Sequence, residues 1–281
     1  MTDSDAADIR DANASPLLAE RSENAPTPRT SRPDLSAVRG IYFDLDDTLC
    51  GYWDASKIGL REAFAEHGPQ GRTVEEMVLA WATAFRGFAP TLKKTGWYAG
   101  YLVSGEPTRT EQMRRTLAEV GVTDEAMAQA LSESYMRRRD ANLKLFSDAV
   151  EVLTILKGRY PLGLMTNGPA DIQRQEIATL GVERFFDHFF IEGEVGEGKP
   201  KPVVFERAAS AMGLQPHEIL MVGNSFGHDV TPALAAGWRA IWVRRPSDVP
   251  PSATHPEEMP EGAAEPDAVI GSLRELLDLL E

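Results

Sequence analysis

Ile41-Tyr42-Phe43-Asp44-Leu45-Asp46-Asp47-Thr48-Leu49 is the stretch around which the chain is organised. The apolar run Ile41 to Phe43 reads as a buried strand. It stops abruptly in acid, Asp44-x-Asp46, and then Thr48. Carboxylates at the carboxyl end of a strand lie where open α/β sheets bind ligands. Side chains alternate along an extended chain, so Asp44 and Asp46 can point the same way. Two carboxylates held together need a cation or a shared proton. The same residue types also end strands and cap helices as plain turns, so the stretch takes its meaning from the rest of the chain.

Downstream, residues 51–146 are patterned for helix. Thr73-Val74-Glu75-Glu76 is a capping box, and behind it Val74, Met77, Val78, Trp81, Ala84, Phe85 and Phe88 recur at helical spacing. Met113, Leu117 and Val120 mark another helix; Met127, Ala130, Leu131 and Tyr135 mark a third. The glycine-rich aromatic segment Gly96 to Gly105 reads as a loop, either a substrate-facing lid or, the favoured role for Trp97 and Tyr101, aromatic packing inside the helical domain. Arg137-Arg138-Arg139 reads as a solvated helix face. After Phe146 strands alternate with helices. The expected strands are Leu162–Met165, about 189–191, Ile219–Val222, Ala240–Val243 and Ala268–Ile270. Pro169 opens one helix and Gly181 stops it; Val203–Met212 and Val230–Ala236 are others, and leucines from Leu273 onward close the chain as a helix. This alternation predicts an α/β fold with a doubly wound parallel-sheet (Rossmann-like) core and an inserted all-helical cap domain.

The expected domains are a disordered N-terminal arm over 1–36, polar and punctuated by proline, a core over 37–50 and 147–281, and a cap over 51–146. Residues 247–266, rich in Pro, Glu, Ala and Ser, read as a flexible excursion. The 281 residues are 42% hydrophobic and 26% charged, with a formal net charge of −14, which disfavours a nucleic-acid partner. No run is long enough for a membrane helix, and no signal-peptide core opens the chain. The cytoplasm is the expected compartment. Cys50 is the only cysteine, which excludes an internal disulfide; it reads as a small buried side chain.

Four polar clusters fall at strand ends or adjoining loops: Asp44 with Asp46, Thr166 with Asn167, Lys199, and Asn224 with Asp229. Parallel strands deliver them to one edge of the sheet. Together they suit phosphoryl transfer: a carboxylate nucleophile, a second carboxyl group as acid and base, a hydroxyl and amides for phosphate oxygens, a lysine against phosphoryl charge, and oxygen ligands for magnesium.

On Asp44-Leu45-Asp46-Asp47-Thr48, Met165-Thr166-Asn167-Gly168, Gly198-Lys199-Pro200-Lys201-Pro202 and Gly223-Asn224-Ser225 through Asp229, the chain resembles the haloacid dehalogenase superfamily, in its phosphatase branch with a helical cap after the first strand. The resemblance runs from about Val38 to the end. It implies a phosphatase acting on a small phosphorylated metabolite through an aspartyl-phosphate, with Asp44 as nucleophile and Asp46 as general acid and base. Thr166, Asn167 and Gly168 would cradle the phosphoryl group, and Lys199 would bridge it to the nucleophile. Asp44, the Asp46 carbonyl, Asn224 and Asp229 would hold Mg2+. Lys201 matches a variable position and stays a surface charge. Position 224 is Asn where many relatives carry Asp, which removes a charge, so Asn224→Asp is expected to tighten magnesium activation. Dehalogenase relatives lack an acid at the Asp46 position. A dehalogenase, a sugar-phosphate mutase and a non-catalytic binding module are the alternatives.

Overall fold

The computed structural model describes residues 33–281. Residues 1–32 of the expected arm lie outside the described residues; Leu35, near the arm's end, is buried and joins the core. The decisive apolar run forms β1 (Gly40–Phe43), buried at every position. The chain then leaves the sheet for five helices, α1 (Tyr52–His67), α2 (Val74–Phe88), α3 (Trp97–Val103), α4 (Glu106–Glu119) and α5 (Glu125–Asn142). Its exit and return lie side by side: the Gly51 N–H donates to the Lys144 carbonyl at 3.1 Å, and the Phe146 N–H to the Leu49 carbonyl at 2.9 Å. These helices bury an apolar cluster of their own, with Leu60, Phe64, Met77, Trp81, Met113 and Leu131. The Thr73 hydroxyl accepts from the Glu76 N–H, and the Glu76 carboxylate accepts from the Thr73 N–H, so the capping box closes at α2.

The expected loop over 96–105 is largely helix α3. Helical winding sets Tyr98 and Tyr101 on one face, their rings stacked at 6.4 Å, while Trp97 packs edge-on against Phe88. These contacts outweigh the helix-weakening glycine at position 100.

From α6 (Ala149–Lys157) the strands and helices alternate: β2 (Leu162–Thr166), α7 (Ala170–Leu180), β3 (His188–Ile191), α8 (Glu192–Val195), α9 (Pro202–Met212), β4 (Ile219–Gly223), α10 (Thr231–Ala235), β5 (Arg239–Val243), β6 (Ala268–Ile270) and α11 (Arg274–Leu279). All pair in parallel in the order β3-β2-β1-β4-β5-β6. The winding direction therefore reverses between β1 and β4, and a crevice opens outside their carboxyl ends. Alternation assigns the two faces. Ile41, Phe43, Val222, Ile241 and Val243 pack with Leu153, Ile177 and Leu276 of α6, α7 and α11. Tyr42, Met221, Ala240 and Trp242 pack with Phe205 and Ala233 of α9 and α10. Among the described residues no helix is long and apolar enough to cross a membrane.

One position in this register tolerates no side chain. Gly163 stands opposite Tyr42. The Tyr42 ring stacks on Trp238 at 5.4 Å and its hydroxyl donates to the Ala208 carbonyl at 2.9 Å. A Cβ at 163 would sit 2.0 Å from Tyr42 Cε1. Gly163→Ala is expected to dislodge that ring and lower unfolding free energy by roughly 1–3 kcal/mol, read by urea denaturation.

Candidate active site

The carboxyl ends of β1 and β4 bring Asp44 and Asp229 together, and the loop between α8 and α9 adds Lys199. Lys199 Nζ donates to Asp44 Oδ1 at 2.7 Å and to Asp229 Oδ1 at 2.6 Å, and the ammonium is almost wholly buried. Burial works against that charge, but Asp229 and Asp44 more than offset it and hold the ammonium above its usual range. The other Asp44 oxygen accepts from the Thr48 hydroxyl at 3.0 Å. Burial is the main cause that pushes the Asp44 carboxyl up to about 6, against the pull of Lys199. Asp229 is steadied by the Ser225 N–H at 2.9 Å, and it lies so close to the β4 backbone that a Cβ at Gly223 would meet its Oδ2 at 2.3 Å.

Asp46 lines the same cavity but takes different partners. Gln173 Nε2 of α7 donates to Asp46 Oδ2 at 3.2 Å. Burial, then the neighbouring Asp44, pushes its carboxyl up to about 6. Asp47 turns away. It adopts a left-handed conformation with φ 56°, which Asp tolerates better than most residues, and its carboxylate accepts the Trp53 N–H at the start of α1. Burial pushes that carboxyl up to about 9.

The β2 motif is more committed to the protein than its sequence indicates. The Thr166 hydroxyl donates to Gln173 Oε1 at 2.7 Å, so its proton points away from an incoming anion. The Gly168 N–H donates to the buried Glu192. Asn167 clasps the lysine loop: its Nδ2 donates to the Lys199 carbonyl and its Oδ1 accepts the Lys199 N–H, each at 2.8 Å. Asn167 thus positions Lys199. Lys201, by contrast, is half exposed and pairs with Glu197.

At the β4 end, Asn224 Nδ2 donates to Asp248 Oδ2 at 2.9 Å, and Asn224 Oδ1 lies 3.3 Å from the Thr48 hydroxyl oxygen. The amide oxygen is thereby turned toward the Asp44 side. Asp248 is a carboxylate that sequence reading missed, because it lies in the proline-rich 247–266 segment. That segment is anchored: Glu257 accepts the N–H groups of Phe226 and Gly227. Burial pushes Asp248 up to about 6. An Asn224→Asp carboxylate would face Asp248 in place of the present hydrogen bond, so the tightening of magnesium activation expected from charge alone is opposed by like-charge repulsion.

The reading of Arg137-Arg138-Arg139 as a solvated helix face fails at Arg139. Arg137 and Arg138 reach Glu66 and Glu62 at the surface, as a solvated face should. Arg139 instead is buried, 2.8 Å from Asp140 and 2.8 Å from Glu176 of α7. Glu176 in turn accepts from Gln173, which holds Asp46. A cap arginine is therefore linked to the core carboxylate through two side chains. Arg139→Met leaves Glu176 buried without its cation and is expected to cost roughly 3–5 kcal/mol of stability. Adding Glu176→Gln, which removes the orphaned charge but can still accept from Gln173, is expected to recover most of the loss in the same urea titration.

The cap closes over the edge at further points: Lys93 and Tyr98 both reach Glu192, and the Gly105 N–H donates to Asp171. Beneath it lies a cavity of about 520 Å³ that includes Asp44, Asp46, Thr166, Asn167, Gly168, Lys199, Asn224 and Asp229 in its lining.

Comparison with known proteins agrees with this architecture. Residues 38–237 match the haloacid dehalogenase-like hydrolase family. The phosphoserine phosphatase of Thermus thermophilus is 33% identical over 258 residues, covering 84% of this chain and 96% of that protein. The structure of YfnB from Bacillus subtilis, bound to magnesium, is similar with a TM-score of 0.67 at 22% identity, over 87% of this chain and 99% of that one. A 2-haloacid dehalogenase from Pseudomonas syringae pv. Tomato DC3000 is similar with a TM-score of 0.58 at 25% identity, over 86% and 98%. With a helical insertion after its first strand and the greater part of its length matched, the chain belongs to the haloacid dehalogenase-like hydrolase family.

Proposed function

We propose that the protein is a magnesium-dependent phosphatase that hydrolyses a phosphorylated small molecule through an aspartyl-phosphate. The observation that carries this reading is Asp46: a second carboxyl group, held by Gln173 beside the lysine-clamped Asp44 in one cavity. Displacement of halide from carbon needs no protonated leaving group, whereas expulsion of an alkoxide from phosphorus does.

In the first step an Asp44 oxygen bonds to phosphorus and the P–O bond to the alcohol breaks. The electron pair leaves on the alkoxide, which takes its proton from Asp46. In the second step Asp46 accepts a proton from water as that water bonds to phosphorus, and the bond from phosphorus to Asp44 breaks. Lys199 neutralises phosphoryl charge throughout. Asn167 supports the reading by fixing the lysine loop. Thr166 can donate to a phosphate oxygen once its hydroxyl turns from Gln173.

The donor set suits magnesium. Asp44, the Asp46 carbonyl and Asn224 Oδ1 are all hard oxygens, and magnesium commonly takes only one or two carboxylates besides waters and phosphate oxygens. Asp229 accepts from Lys199 and Ser225, so it would act on a bound ion chiefly through its charge. The bound cation would supply the positive field in which an anionic carboxylate and an anionic phosphate can meet.

The test is release of inorganic phosphate from a panel of phosphomonoesters, with magnesium and after chelation by EDTA, beside halide release from 2-chloropropionate. Phosphate release that EDTA stops and magnesium restores is expected. Halide release without phosphate release would overturn the proposal.

A further inference from the structure

The wall of the cavity beyond the carboxylates is aromatic. Trp81, Phe85 and Phe88 line it from α2 at spacings of four and three residues, one face of a helix. Trp81 and Phe85 stack at 4.8 Å, nearly parallel, and Trp53 of α1 meets Phe85 edge-on at 6.3 Å. Met113 of α4, itself fully buried, backs the patch. Three-carbon or amino-acid phosphates anchored at Asp44 have no apolar surface to set against such a wall. The cavity, about 520 Å³, falls within the ~300–1,000 Å³ common for pockets that enclose a drug-sized ligand.

Two polar atoms in this wall lack partners. Trp81 Nε1 and Gln112 Oε1 are buried and make no hydrogen bond, although both residues line the cavity and are only 4% and 6% exposed. They are held beside one another, since Gln112 Nε2 donates to the Trp81 carbonyl at 3.1 Å. One is a donor and the other an acceptor. A buried polar group left unmade carries its full desolvation penalty, so a ligand that pairs with it gains more than one hydrogen bond normally contributes.

We propose that the substrate is the phosphomonoester of an alcohol bearing a flat aromatic or heteroaromatic group, with one hydrogen-bond acceptor for Trp81 and one donor for Gln112. This rests on the phosphatase reading of the same site and adds the chemistry of the leaving group. The aromatic faces supply a surface on which a ring packs or meets edges. The donor–acceptor pair supplies selectivity, because a site built to hydrogen-bond a group rejects analogues that lack it. Phosphoserine, named for the Thermus relative, has no ring to bring to this wall.

Calorimetric titration with phosphonates, which are not hydrolysed, tests the class independently of turnover. With magnesium present, 4-carbamoylbenzylphosphonate is expected to bind at least about tenfold more tightly than 2-aminoethylphosphonate, a difference of roughly 1.4 kcal/mol. Phe85→Leu, at a partly exposed position of the wall, is expected to shrink that ratio toward one. Gln112→Met is expected to shrink the preference for 4-carbamoylbenzylphosphonate over plain benzylphosphonate. Equal or tighter binding of 2-aminoethylphosphonate, or variants that weaken all three ligands alike, would overturn the inference. Selective aromatic binding without phosphate release from any ester would instead remove the phosphatase reading and leave the class of ligand standing.

Discussion

An Asp44→Asn variant is expected to release phosphate at least ~10⁴-fold more slowly than the unaltered chain, the scale on which loss of a nucleophile is felt, while keeping its fold. The amide has no anionic oxygen to form a stable bond to phosphorus, so the covalent route closes. Its oxygen can still accept from Thr48, and Lys199 keeps Asp229 at 2.6 Å. The stability side comes from the direction of the Asp44 shift. A carboxyl whose folded pKa is raised from 3.8 to about 6 binds its proton more tightly when folded. Ionising it therefore costs stability, and that cost is present above about pH 6 and fades as pH falls toward 4. A neutral amide escapes the cost, so at pH 7 the variant is expected to melt no lower than the parent, and at pH 5 the two should converge. Acid quenching during turnover should trap phosphate on the parent chain and none on the variant. A folded Asp44→Asn protein with the parental rate would sink the mechanism.

The contrast between what is and is not legible in the sequence has physical causes. β1, β2, β4 and β5 were legible because a strand buried on both faces is a short apolar run bounded by turn residues. The convergence of Asp44, Lys199 and Asp229 was legible because parallel pairing dictates which ends of the strands meet. Arg139 was not. Three arginines in a row on a helix look alike in sequence, and which of them is buried depends on how α5 lies on α7. Asp248 and Glu257 were hidden by their surroundings, since proline-rich composition reports backbone freedom and says nothing of a carboxylate that reaches amides across the fold. Thr166, Asn167 and Gly168 were legible as a cluster, but not in their partners: Gln173, the lysine loop and Glu192 enter by tertiary contact. The close approach of Gly163 to Tyr42 required the register itself.

Lys199→Met carries the largest joint effect on stability and rate. The side chain bridges two buried carboxylates, at 2.7 Å to Asp44 and 2.6 Å to Asp229. A lysine whose folded pKa is raised contributes stability fully below its unfolded pKa of about 10.4 and loses it as pH rises through the folded value. Across the physiological range the contribution is therefore intact, and the substitution removes all of it. Truncating one partner of a buried ion pair costs roughly 3–5 kcal/mol, because the groups left behind stay buried and unpaired. Against a typical domain stability of about 5–15 kcal/mol the variant should still fold, with a visibly lower urea midpoint. The loss should shrink in Lys199→Met/Asp229→Asn, which keeps an acceptor for Ser225 and removes one orphaned charge. Activity behaves differently. Loss of a preorganised electrostatic contact is worth about 10²–10³-fold in kcat, and the double variant should not regain it. Without its cation Asp44 also holds its proton to higher pH, so the acid limb of any residual activity should move upward. Lys199→Arg separates charge from position: the guanidinium keeps the charge but cannot place a point donor between two carboxylates. It should therefore recover more stability than rate. Equal recovery of both would show that Lys199 acts on the reaction only by holding the fold.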